Sequence, residues 1–277
     1  METKMVKTNN TKTPIKWTAA KIQALKGRQK IACLTAYDYA FAKLVDEAGI
    51  PLILVGDSVG TTMLGFNNTL PVTMEIMLHH TAAAARGAQN ALVVADMPFL
   101  SYQISEDDAI RNAGRFIQEA GAGAVKIEGG AFRAPLIRRL VQNGIPVLAH
   151  IGLTPQNLRV TGGYKVQGRR PAESAGLLRD ARALEAAGAF ALVLECMPAA
   201  LGKRLTQALN IPTIGIGAGP GCDGQIMVLH DMLGLSGKFQ PKFVKRYAEL
   251  GATAQKALTA YRNEVENGQY PTKEHTY

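Results

Sequence analysis

The chain alternates short aliphatic runs with longer stretches whose apolar positions recur at helical spacing. IACLTAYD at residues 31–38 is followed by YAFAKLVDEAG, a helical pattern that stops at Gly49. Similar runs return as IPLILVGD at 50–57, ALVVAD at 91–96, GAVKIE at 123–128 and IPVLAHIG at 145–152. FALVLE at 190–195, IPTIGIGAG at 211–219 and a weaker IMVLHDML at 226–233 complete the series. Several runs are announced alike: EAGI, EAGAGA, QNGIP, EAAGAF and ALNIP each end a helix at Gly or Asn, residues that accept the left-handed conformation just past a helix end. The runs are nearly continuous in hydrophobicity. That marks strands buried on both faces, as in a parallel sheet covered by helices.

Eight strands alternating with helices predict an α/β fold, a (β/α)8 TIM barrel, in a chain of 277 residues. An open doubly wound sheet is the competing architecture, but its dinucleotide fingerprint is missing: GIGAGPG places Pro220 where a third glycine belongs, and no phosphate-binding P-loop motif occurs. No linker rich in Pro, Gly or Ser divides the chain, so residues 1–277 read as one domain. Two segments lie outside the repeat. Residues 17–28 predict a short amphipathic helix that caps the barrel bottom, and residues 241–267, opening with Pro241 at a first helical turn, predict a C-terminal helical extension packed on the barrel or on a neighbouring subunit. Residues 1–16 read as a loose polar tail.

Composition narrows the function classes. Hydrophobic residues make up 47% of the chain, ample for a core. The three cysteines, Cys33, Cys196 and Cys222, form no C-x-x-C pair and are odd in number, which fits a reducing compartment better than a disulfide framework or a thiolate metal site. With no signal peptide or membrane-length apolar run, a cytoplasmic location is the expectation, with no membrane partner. The net charge of +9 is spread along the chain without aromatic-interleaved clusters. Much of it reads as ordinary soluble surface; where it acts at long range it favours a small anionic ligand over nucleic acid.

The reactive face of a parallel barrel lies at the C-terminal ends of its strands. Those ends carry Asp38, Asp57, Asp96, Glu128, His150 and Glu195 in chain order, and the seventh run ends in glycines. Acidic groups at the ends of buried apolar strands are costly unless paired, and neighbouring ones repel. A cation relieves that repulsion, and an all-oxygen donor set favours Mg2+ or a similar hard ion over zinc. Asp38 directly precedes a helix and reads as its N-cap. Asp57 and Asp96 precede loops and read as functional, with Glu128 completing a candidate metal triad.

Lys126 and Glu128 are two apart on one strand and share the barrel interior, while Val125 and Ile127 face the helices. Three readings of Lys126 stand: a contact for an anionic substrate, a Schiff-base nucleophile, or the partner of Glu128 in a structural ion pair. Glu195, flanked by Leu194 and Cys196, is expected to be an isolated carboxylate with a raised pKa, suited to a general base; a rim salt bridge is the competing reading. His150 is either a structural residue or a substrate contact at the mouth. His79 and His80 read as structural. Gly215, Gly217 and Gly219 either cradle a phosphate or close the mouth with a tight turn. Together these features predict carbon–carbon bond chemistry beside a carbonyl.

The stretches LTAYDYAFAKLVDEAG, LVGDSVGTTMLG, TLPVTMEIMLHHTAAAARGA, ADMPFLSY, GAVKIEGG, HIGLTPQ, GGYKVQGR, LVLECMP and IGIGAGPGCDGQIMVLHDMLG, collinear over residues 31 to about 242, resemble the ketopantoate hydroxymethyltransferase family. The resemblance implies transfer of a hydroxymethyl group from 5,10-methylenetetrahydrofolate to 3-methyl-2-oxobutanoate, giving 2-dehydropantoate for pantothenate synthesis through a Mg2+-stabilised enolate. It implies Asp57 and Asp96 as Mg2+ ligands, with Glu128 at a third metal position, directly or through a water or the substrate. Asp57, Ser58, Asp96 and Lys126 are implied keto-acid contacts, and Glu195 the implied base. A homo-oligomer, often a decamer of two pentameric rings, is also implied. The family is similar to the phosphoenolpyruvate mutase and isocitrate lyase-like barrels, so a Mg2+-dependent carbon–carbon lyase or aldolase is the alternative.

Overall fold

The computed structural model describes residues 16–163, 165–237 and 241–277, so the expected tail lies, apart from its last residue, outside the described residues. Eight parallel strands close a barrel in chain order. They are β1 (Ile31–Thr35), β2 (Leu52–Val55), β3 (Leu92–Asp96), β4 (Ala124–Glu128), β5 (Val147–Gly152), β6 (Ala191–Glu195), β7 (Thr213–Ile216) and β8 (Gly224–Met227). β8 pairs with β7 on one side and with β1 on the other.

Alternation along each strand divides the core into two. Ile53, Val55, Val93, Ala95, Val125, Ile127, Val147, Ala149, Leu192 and Leu194 face outward, into the layer shared with the helices. The helices Tyr39–Glu47, Met74–Gly87, Glu106–Gln118, Ala134–Gln142 and Ala199–Ala208 supply buried residues to that layer. Ile31, Cys33, Leu52, Leu54, Leu92, Val94, Ala124, Leu148, Val193, Ile214 and Ile226 fill the interior. The barrel interior is therefore a packed core, with polar side chains at its mouth and a separate Lys26–Asp223 pair at the opposite end.

The N-terminal helix Ala19–Gln23 is shorter than the sequence predicts but does cap the interior. Thr18 caps it by accepting from the Lys21 N–H, and Ile22, fully buried, joins the interior cluster together with partly buried Trp17. Burying one such aliphatic side chain contributes about 1.5–3 kcal/mol.

Two expected elements move. β8 starts at Gly224 rather than Ile226, and IMVLHDML does not form one strand: after Met227 the chain turns into the helix Leu229–Met232. The strand is hard to see in sequence because no helix separates it from β7 and because it opens with a glycine. A side chain at Gly224 would meet the Ile31 carbonyl oxygen at 2.5 Å. The strand ends where the Leu229 N–H turns to the Thr35 hydroxyl, 3.1 Å away.

The C-terminal helix spans Leu250–Glu266 and does not begin at Pro241. Its approach segment spends backbone donors elsewhere: the N–H groups of Tyr247, Leu250 and Gly251 bond the carbonyls of Met232, Leu233 and Gly234. An α-helical ladder cannot form until those bonds are past. Among the described residues, no helix is long and apolar enough to cross a membrane.

Candidate active site

Strand register assembles the polar mouth. Asp96 stands beside Lys126, Glu128 beside His150, and Glu195 beside Gly152. On β3 the interior row reads Leu92, Val94, Asp96, and on β4 it reads Ala124, Lys126, Glu128. The period-2 pattern that packs the barrel thus ends, at its top layer, in charge. Asp96, Lys126, Glu128, His150 and Glu195 line a chamber of about 180 Å3, with Asp57 and Ser58 on the loop after β2.

Lys126 is the hub of this layer. Its Nζ donates to both Asp96 carboxylate oxygens at 2.8 and 2.9 Å and to Glu128 Oε1 at 3.4 Å. Asp96 Oδ2 also accepts the Asp57 N–H at 3.1 Å, tying β3 to the loop after β2. The sequence predicts a loop rather than an immediate helix after Asp57, but a single helical turn, Val59–Thr62, follows at once. Neither Asp57 nor Ser58 caps it: the Asp57 side chain accepts from Gln156 Nε2 at 3.1 Å, and the Ser58 hydroxyl pairs with Tyr37 Oη at 2.8 Å. Asp38 does act as a cap, accepting the Phe41 N–H at 2.9 Å. His80 is structural, as expected, with Nδ1 2.7 Å from the Tyr37 carbonyl oxygen.

Burial and opposing charges set the electrostatics. Burial first, then the neighbouring Asp96 charge, pushes the Asp57 carboxyl well above the ordinary range. Burial also raises Asp96, against the pull of Lys126. Glu128 shifts the other way: burial opposes its charge, but Lys126, His150 and the Gln156 N–H outweigh that and hold it low. Burial disfavours the Lys126 ammonium, yet the Asp96, Glu128 and Asp57 carboxylates raise it above the usual lysine value. Its three hydrogen bonds to Asp96 and Glu128 favour the ammonium over the free amine that a Schiff base requires.

His150 and Glu195 depart from the expectation of an isolated carboxylate. The His150 ring, 1% exposed, sits with Nδ1 3.5 Å from Glu128 Oε1 and Nε2 3.2 Å from Glu195 Oε2. Burial and the Lys126 charge oppose its protonation, but the two flanking carboxylates carry its pKa up to about 9. Glu195 is partly exposed, its side chain at 17%, and has the His150 ring behind it rather than an apolar wall. The loop after β5 fixes its backbone: Leu153 N–H donates to the Glu195 carbonyl at 3.0 Å, and Gly152, at φ +102°, would drive a Cβ into that oxygen. Cys196, the next residue, takes a left-handed φ of 52°, an uncommon conformation for a side-chain-bearing residue and one that recurs at functional sites. All three cysteines are free thiols. Gly217 and Gly219, with φ of 64° and 81°, make the turn after β7.

The donor set suits a hard cation. Three buried carboxylates, Asp57, Asp96 and Glu128, face one ammonium, and burial leaves Asp57 short of counter-charge. Among the described residues no three acidic, His or Cys groups converge tightly enough to hold a metal by themselves. Mg2+ does not require that, since it commonly keeps several waters and takes one or two carboxylates plus substrate oxygens. Asp57 accepts a side-chain bond from Gln156 alone, whereas both Asp96 oxygens accept from Lys126. Glu128 is already engaged by Lys126, the Gln156 N–H at 3.2 Å and the His150 ring.

Gln156 and Tyr102 belong to the site although the sequence did not mark them. Gln156, 4% exposed, donates from Nε2 to Asp57 and to the Met97 carbonyl, and from its N–H to Glu128. Its Oε1 accepts from Tyr102 Oη at 2.7 Å and Gln103 Nε2 at 3.1 Å. Its place four residues past the end of β5, in a loop on the reactive face, was the available signal; an amide carries no charge and draws no notice by itself.

Comparison with known proteins follows the same direction. A model of the ketopantoate hydroxymethyltransferase family matches residues 16–273. The chain is 54% identical over 263 residues to the 3-methyl-2-oxobutanoate hydroxymethyltransferase of Syntrophus aciditrophicus, covering 95% of this chain and 97% of that one. It is 56% identical over 257 residues to the enzyme of the same name from Geotalea daltonii, covering 92% and 96%. Among solved structures, phosphonopyruvate hydrolase superposes with a TM-score of 0.62 at 13% identity, covering 93% of this chain and 92% of that one, which bears on the fold alone. With more than half its residues identical to these relatives across nearly its whole length, the chain belongs to the ketopantoate hydroxymethyltransferase family.

Proposed function

We propose that the barrel mouth transfers a one-carbon unit from 5,10-methylenetetrahydrofolate to C3 of 3-methyl-2-oxobutanoate, giving 2-dehydropantoate. The chain is a hydroxymethyltransferase of pantothenate synthesis. The observation that carries the mechanism is the division of the chamber into a cation-holding side, Asp57 and Asp96 backed by Lys126, and two partly exposed carboxylates, Glu195 and Asp231, of which Glu195 is the one held beside His150.

Asp57 and Asp96 would hold Mg2+, with Glu128 behind them acting through a water or the substrate. When bound, the ion supplies Lewis acidity at the 2-oxo and carboxylate oxygens of the keto acid. Lys126 offsets the remaining negative charge, and the Ser58 hydroxyl, held by Tyr37, is placed to donate to the substrate carboxylate. Glu195 takes the proton from C3. His150, charged between Glu128 and Glu195, steadies the base and borders the substrate. Water adds to the methylene carbon of the donor as one C–N bond breaks and that nitrogen takes a proton; C3 then bonds to the same carbon as the second C–N bond breaks, and the proton held by Glu195 goes to the departing tetrahydrofolate nitrogen. Residues 1–277 form one domain in this reading, working in the cytoplasm. It assembles as a homo-oligomer, a decamer by family pattern; exposed Leu258, Tyr261 and Val265 on the C-terminal helix support such packing.

The test is product formation. Purified protein with both substrates and Mg2+ yields 2-dehydropantoate, and chelation of the metal stops it. Product that persists under EDTA, or trapping of Lys126 by borohydride with the keto acid, would replace the metal mechanism.

A further inference from the structure

We propose that the large pocket lying outside the polar chamber, between the loops after β6 and β7 and residues 241–243, seats the tetrahydrofolate donor. This inference rests on the activity proposed above and assigns the second substrate to a place. The chamber, at about 180 Å3, suits a small keto acid. The outer pocket is about 870 Å3, within the range of pockets that enclose drug-sized ligands.

The two spaces meet. Thr61, Glu195, Asp231 and Phe243 line both. A donor seated outside therefore presents its methylene carbon across this junction, beside the carboxylate that takes the C3 proton. Cavities of about 460 and 400 Å3 share no lining residue with the chamber, and one of about 320 Å3 meets it through Ile216, Ile226, Met227 and Phe243 but reaches neither Glu195 nor any charged side chain.

The walls fit a reduced folate. Leu153, Met197 and Phe243 supply apolar flanks for a flat ring system. Asp231, half-buried on the helix Leu229–Met232, makes no side-chain hydrogen bond with other described residues. A carboxylate there accepts from two adjacent donors, which is what the N3–H and 2-amino group of a pterin present. Lys242, exposed on the rim, is the cation of the pocket and faces the solvent end, where the glutamate carboxylates of a folate would emerge.

Two rim variants test the assignment with little risk to folding, since Lys242 is exposed and Val166 is 36% exposed. Lys242→Glu reverses the rim charge, and Val166→Trp fills the pocket. In both, the KM for methylenetetrahydrofolate triglutamate and the Kd for tetrahydrofolate by calorimetry are expected to rise about tenfold or more, the scale of a lost charge-assisted contact. Mg2+-dependent deuterium exchange at C3 of the keto acid, measured without folate, stays within about twofold of wild type by the same scale. Unchanged folate KM and Kd in both variants overturns the assignment. So does exchange falling in step with folate binding, which would place both residues on the chamber instead. Wild-type protein that neither exchanges the C3 proton nor forms product overturns the underlying activity, and the seat with it.

Discussion

At the scale of single residues, the mouth is held by groups that stand in for one another poorly. Removing the Lys126 ammonium leaves Asp96 buried without a counter-charge. Lys126→Met is expected to lose about 3–5 kcal/mol of stability in urea denaturation, the range for breaking a buried pair. Pairing it with Asp96→Asn is expected to restore part of that loss; a double variant no more stable than the single one would show the pair to be independent. Gln156 is a second such point. Gln156→Ala removes the Nε2 donor from Asp57 and from the Met97 carbonyl, each worth about 1–3 kcal/mol when buried, while its backbone N–H to Glu128 remains. Weaker Mn2+ binding by electron paramagnetic resonance, together with a fall in kcat, is the expected result, and unaltered Mn2+ affinity would limit Gln156 to packing.

The elements explain what the sequence displayed and what it hid. Runs ending in acid were legible because strand interiors must be apolar and their mouth-facing last residues need not be. That logic found Asp96, Glu128, His150 and Glu195 on β3 to β6. It misjudged surroundings that depend on register. Glu195 looked isolated from Leu194 and Cys196, its sequence neighbours, whereas pairing of β5 with β6 puts His150 against it. β8 was misplaced because a strand opening with Gly224 and Gln225 has no hydrophobic run, and the C-terminal helix because tertiary hydrogen bonds claim its approach segment. Gly152 is where element geometry reaches the chemistry. Gly152→Ala forces a Cβ into the Glu195 carbonyl at a left-handed φ, so it is expected to destabilise the fold by more than about 1 kcal/mol and to lower kcat. Thermal unfolding and steady-state rates check both; a variant with wild-type melting and turnover would contradict this account of the β5–β6 junction.

At the scale of the molecule, a basic chain gathers the buried Asp57, Asp96 and Glu128 at one end of a barrel whose other end is plugged by Trp17 and Ile22. The C-terminal helix stands apart from this core: none of its residues is buried, and Leu258, Tyr261 and Val265 expose apolar surface. Leu258→Glu with Tyr261→Glu is expected to yield a smaller species by light scattering, and an unchanged mass would move the subunit contact elsewhere. The central claim joins all three scales: the mouth makes C3 of the keto acid nucleophilic, with Glu195 as base. Its most direct measurement is deuterium exchange at C3 of 3-methyl-2-oxobutanoate, followed by proton NMR with Mg2+ and no folate. Wild-type protein is predicted to exchange the proton, and Glu195→Gln to slow exchange by about 100-fold or more, the scale of a lost general base. No exchange in wild type, or equal exchange in Glu195→Gln, would contradict it.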